Sequence, residues 1–88
     1  MNAQAVAKVD EVMDQLRGRS LVDRMWFVDQ LLDLASLSPE GPVPDKARAV
    51  MGELAGRQLV ERAWAVDQLL DIRVLATAVA AAGDRPPV

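Results

Sequence analysis

Apolar residues recur three or four apart along most of this chain, and that spacing predicts four helices. Val6, Val9, Val12, Met13 and Leu16 mark a first helix from about Ala3 to Arg17, stopped by Gly18 in the left-handed conformation. Ser20 is placed to cap a second helix, with Asp23 three residues on as an aspartate variant of the capping box. Leu21, Met25, Val28, Leu32 and Ala35 fall on one stripe of that helix, which should run from Leu21 to Leu37. Pro39, Pro42 and Pro44 then interrupt the pattern, so 38–44 reads as a linker. Asp45 would cap a third helix ending near Ala55, with Gly56 repeating the role of Gly18. A fourth helix should begin near Gln58 or Leu59 and continue to about Ala82, its last turns favoured by alanine. Leu59, Ala63, Val66 and Leu70 repeat the stripe of the second helix there, and 83–88 reads as a flexible tail.

The pattern is stated twice. Val12–Asp33 (VMDQLRGRSLVDRMWFVDQLLD) and Val50–Asp71 (VMGELAGRQLVERAWAVDQLLD) match at 15 of 22 positions with an offset of 38 residues. Two units are too few for an open solenoid, so they should close on each other or pair with another chain. The expected fold is therefore all-α: one domain over 1–82, with tandem helical hairpins at 3–37 and 45–82 packed about a pseudo-twofold axis.

The helix faces suggest roles. The stripe of Leu21, Met25, Val28, Leu32 and Ala35 is expected to be core, as is its repeat. Trp26 lies on one flank with Asp29 and Asp33, and Trp64 likewise with Asp67 and Asp71. Carboxylates four apart on a helix repel by a few tenths of a kcal/mol, so Arg19, Arg24, Arg57 and Arg62 are the expected ion-pair partners. A further strip, Phe27, Leu31 and Leu34, repeats as Ala65, Leu69 and Ile72. One small bundle does not readily bury every side of a helix, so this strip is expected to be exposed and covered by another chain. The alternative is that the second helix is central and the strip internal. Phe27 opposite Ala65 is the sharpest mismatch between the copies.

Composition narrows the chemistry. Half of the 88 residues are hydrophobic (51%), yet there is one Phe, two Trp and no Tyr, so Leu, Val, Ala and Met must build the core. A net charge of −3 argues against general nucleic-acid binding, which depends on neutralising phosphates. Eight arginines against two lysines, with an Ala/Val/Asp bias, suggest a GC-rich bacterial or phage coding sequence. The absence of Cys and His removes disulfides, cysteine metal sites and the usual catalytic bases. The N-terminus lacks the features of a signal peptide and no apolar run approaches a membrane span, so a cytoplasmic location without membrane contact is expected.

No phosphate-binding loop, dinucleotide fingerprint or zinc spacing occurs, and no cofactor or metal is expected. Two alternatives are worth testing against the fold. Asp29, Asp33, Asp67 and Asp71, from the two VDQLLD segments, could together hold a divalent cation, as acidic helix pairs do in all-helical phosphohydrolases. The turn around Gly18 is also compatible with a duplicated helix-turn-helix for DNA. The leading expectation is a non-enzymatic protein–protein interaction module: a small regulator, inhibitor or adaptor whose partner is another protein or itself, as a homodimer. Trp and Arg dominate many interfaces, so the candidate contact residues are Trp26, Phe27, Leu31, Leu34, Arg24, Trp64 and Arg62.

Overall fold

The computed structural model describes residues 2–37 and 41–83. Residues 38–40 of the expected linker and 84–88 of the expected tail lie outside the described residues. The chain forms α1 (Asn2–Gln15), β1 (Leu21–Asp23), α2 (Arg24–Leu37), α3 (Pro42–Leu54), β2 (Leu59–Glu61) and α4 (Arg62–Gly83). It is thus mostly helical, with one small two-stranded sheet that the helical spacing did not foretell.

Gly18 and Gly56 adopt φ of +80° and +84°, the left-handed stops expected of them. After each stop the backbone becomes extended. Leu21–Asp23 and Leu59–Glu61 run antiparallel, with Val22 opposite Val60, Leu21 opposite Glu61 and Asp23 opposite Leu59. Period-2 alternation turns Val22 and Val60 into the core and leaves their neighbours exposed. The pairing continues one residue further on each side. The Arg24 N–H donates to the Gln58 carbonyl and the Arg62 N–H to the Ser20 carbonyl, both at 3.0 Å.

Three helix starts therefore differ from the expected ones. Asp23, not Ser20, caps α2: its Oδ1 accepts the Met25 N–H at 3.0 Å. Helix α4 begins at Arg62 instead of Gln58 or Leu59. Helix α3 begins at Pro42, because a proline in the first turn sacrifices no helical hydrogen bond. Asp45 lies inside that first turn, where a carboxylate favours the positive end of the helix dipole.

The strand exchange decides the packing. Helix α1 packs chiefly against α4, and α2 against α3, so each helix finds its main neighbour in the other repeat. The two repeats interlock instead of standing as separate hairpins. Among the described residues, seventeen that include Val9, Leu16, Val22, Phe27, Leu31, Val50, Leu54, Leu69 and Ile72 form one buried cluster.

This packing reverses the expected faces of α2 and α4. Phe27, Leu31 and Leu34 are fully buried, as are their equivalents Ala65, Leu69 and Ile72. Leu21, Met25, Leu32, Leu59 and Leu70 are exposed, whereas Val28, Ala35 and Val66 pack partly against the core. The physical reason lies in the strands. An all-helical reading carries the phase of Leu21 into Met25 and Leu32, but Leu21 sits on the outer side of a ribbon whose inner side is Val22. With α2 starting at Arg24, the side turned toward α3 is that of Phe27, Leu31 and Leu34.

Stability measurements should separate the two faces. Phe27→Ala should lose about 3–5 kcal/mol in urea unfolding, as expected of a deleted buried aromatic. Met25→Ala should stay within about 0.5 kcal/mol of the parent, as surface changes usually do. Gly18→Ala should cost about 1 kcal/mol; a Cβ there meets nothing within 4 Å, so only the backbone conformation is penalised. A neutral Phe27→Ala would contradict this assignment of the core.

Candidate interaction surface

Gly18 and Gly56 are each followed by an arginine laid on a tryptophan. The Arg19 guanidinium lies 5.6 Å from the Trp26 ring centroid, and Arg57 lies 5.4 Å from that of Trp64. Both rings are half-buried against the core. The arginines cover the solvent side, an arrangement worth about 0.5–1 kcal/mol at exposed sites. Trp64 also receives Phe27 edge-on, with centroids 6.4 Å apart and planes at 75°. Its counterpart Trp26 has Ala65 at the position equivalent to Phe27, so the two tryptophans share an arginine lid but not an aromatic neighbour.

The expected arginine–carboxylate pairs are not formed. Asp33 pairs with Lys8 at 3.5 Å and Asp71 with Lys46 at 3.6 Å. Arg19 and Arg57 are directed onto the rings by the turns that precede them. Arg24 and Arg62 make no ion pair among the described residues and join the repeats through their backbone N–H groups instead. Lys8 and Lys46 were the partners missed, although a signal existed: the only two lysines of the chain stand one repeat apart. The carboxylate of each pair is solvated while the lysine stem is mostly covered, and each pair contributes under about 1 kcal/mol. Asp29 and Asp67 are exposed, with no ion pair among the described residues.

One further contact has no counterpart in the other copy. Arg73 Nε donates to Asp10 Oδ1 at 2.9 Å, tying α4 to α1. That hydrogen bond first, and the charge of Asp10 second, raise the Arg73 pKa above its ordinary value. The equivalent positions, Arg48 and Ala35, cannot pair in this way; Arg48 reaches Asp45 within α3 instead.

The outward faces of α2 and α4 are apolar strips with an acidic edge. On α2, Met25 (72% exposed) and Leu32 are two turns apart, with Asp29 and Asp33 on one side. On α4, Ala63, Leu70 and Val74 (67% exposed) form the corresponding strip beside Asp67 and Asp71. Met25 and Leu59 line one open depression of about 400 Å³ together with Asp23, Arg24 and Gln58. A second open depression, of about 410 Å³ between α1 and α4, is lined by Met13, Leu16, Arg17, Arg62, Ala63 and Val66.

The candidate contact residues are thus divided. Phe27, Leu31 and Leu34 are interior and cannot meet a partner in the folded chain. Trp26 and Trp64 are half-covered, and Arg24 and Arg62 border the two depressions. The outward residues Met25, Leu32 and Leu70 belong to the stripes expected to be core, and Val74 lies outside every face the spacing picks out.

The four aspartates are not brought together: no three potential metal ligands cluster among the described residues, and two of the four face lysines. A helix-turn-helix is not formed either. Its helices are joined by a turn of three or four residues, whereas here a strand stands between α1 and α2, and again between α3 and α4. The outer side of the ribbon carries Asp23 and Glu61, which repel phosphate. Among the described residues, no helix is long and apolar enough to cross a membrane.

The arginine lids can be checked by quenching. In a Trp64→Phe background, Arg19→Ala should expose the Trp26 indole, with stronger acrylamide quenching and a red-shifted emission. An unchanged spectrum would mean that Arg19 does not cover the ring in solution.

Comparison with known protein families, curated proteins and solved structures finds no match for this chain.

Proposed function

We propose that this chain is a non-enzymatic protein–protein interaction module, a small regulator or adaptor made by duplicating one helix–strand–helix unit. The duplicate units are read as related by a pseudo-twofold axis through the Val22–Val60 pair. The symmetric strand register, the matched Arg24 and Arg62 backbone bonds, the two Lys–Asp pairs and the two Arg–Trp stacks support that reading.

The observation that carries the functional proposal is the pair of outward strips. Leu21 and Leu59, and Leu32 and Leu70, are large apolar residues exposed at equivalent positions of both copies. Scattered exposed leucines need no explanation, but Leu32 shares its helix face with Met25, and Leu70 with Val74, so the pattern occurs in both halves. Burying them against a partner removes apolar surface from water at about 25 cal/mol per Å². The partner is another protein in this reading. Self-association is the second way to cover the same strips.

The test uses a double variant, Met25→Glu with Leu32→Glu, immobilised beside the parent chain. Both should show the same helical circular dichroism and cooperative melt, because neither residue is core. Proteins retained from host extract by the parent should be lost from the variant. Retention of the same proteins by both would refute a role for this surface.

A further inference from the structure

We infer that the outward strips accept an amphipathic helix with a basic flank. This rests on the interaction-module reading and specifies the chemistry of its partner. Met25 and Leu32 lie seven residues apart on one line of α2, as do Ala63 and Leu70 on α4. That is the spacing at which an apolar helix face engages a neighbour running alongside. The line from Met25 to Leu32 gives such a helix about two turns of contact on α2.

Charge selects the occupant. Going around α2 from the Met25–Leu32 line, Asp29 comes first and Asp33 next, both exposed. Asp67 and Asp71 hold the same places beside Leu70. Asp33 and Asp71 each face a lysine, but Asp29 and Asp67 have no ion-pair partner among the described residues. Lys8 and Lys46 offset the like-charge repulsion within each pair only in part, so Asp29 and Asp67 keep a residual repulsion. Lysine or arginine on one flank of a docked helix would relieve it while the apolar face covers Met25 and Leu32. A second copy of this chain fits less well. Laid antiparallel across the same strip about a twofold axis, it would bring its own carboxylates to the same side of the interface. The overall charge of −3 likewise favours a basic partner.

A displayed library of helical peptides tests this. Leucine is fixed at one face, and each flank is varied among Lys/Arg, Asp/Glu and Ser/Gln. Selection on the whole chain should enrich peptides with Lys or Arg on one flank. A synthetic member should bind about tenfold more weakly to the Leu32→Glu variant, and more weakly to Asp29→Asn than to the parent. Its affinity should fall as salt rises. Peptides enriched without charge bias, yet still sensitive to Leu32→Glu, would overturn the basic partner while leaving an interaction surface in place. A stable dimer of the free chain that Leu32→Glu dissociates would overturn it in favour of a second copy. No enrichment, together with unchanged capture of host proteins by the double variant, would overturn both this inference and the function on which it rests.

Discussion

A strand of three residues has almost no stability by itself, so Leu21–Asp23 is held only because Leu59–Glu61 lies against it. The polar backbone between each pair of helices would otherwise be left without partners beside the buried Val22 and Val60. The pairing also takes in helix ends. The N–H groups of Arg24 and Arg62, which no helix of their own can satisfy, donate across to Gln58 and Ser20. Because antiparallel strands lead their following helices away in opposite directions, α2 is delivered to α3 and α4 to α1. Neither half can reach its packing partner without the other. Strand pairing, helix capping and core formation therefore belong to one cooperative unit.

Much of this was legible in the residues. The repeat, the number of helices and the two glycine stops follow from spacing and from the steric privilege of glycine at positive φ. The strands were not legible, because three residues are too few for a period of two to show against helical neighbours. Leu21-Val22-Asp23 also continues a helical pattern without a break. That miss carried the larger one. Apolar residues surround most of α2, and Phe27, Leu31 and Leu34 have the same kind of spacing as Met25, Val28 and Leu32. Only the point at which the helix begins, and the position of α3, decide which set is inside. Phe27 offered the one internal cue, as the only Phe in a chain short of aromatic volume.

The electrostatic pattern follows from that geometry. A left-handed residue directs the chain so that Arg19 and Arg57 meet the indole faces, and the arginines are then no longer available to the carboxylates of α2 and α4. The two lysines, on α1 and α3, neutralise one carboxylate of each pair with stems that stay largely covered. What remains outward is an apolar line with an acidic edge. A chain of 88 residues has limited core with which to offset exposed leucine and methionine, so these residues contribute to the fold least where they are most conspicuous.

A duplicated unit within one chain differs from a homodimer in a physically useful way, because its halves can diverge. Phe27 meets Trp64 edge-on, whereas alanine stands at the matching position 65. One large side chain supplies, from one half, volume that two identical halves would have to supply twice. Asp10 and Arg73 lock α1 to α4 with a bond that the α2–α3 pair lacks. The outer strips diverge as well: α2 presents Met25 where α4 presents Ala63, and α4 adds Val74 where α2 has Ser36. The interior differences fix how the halves pack, and the exterior differences make the two strips unequal. A partner that reads methionine on one strip and valine on the other would have a single preferred orientation on a body whose backbone pairing is itself symmetric.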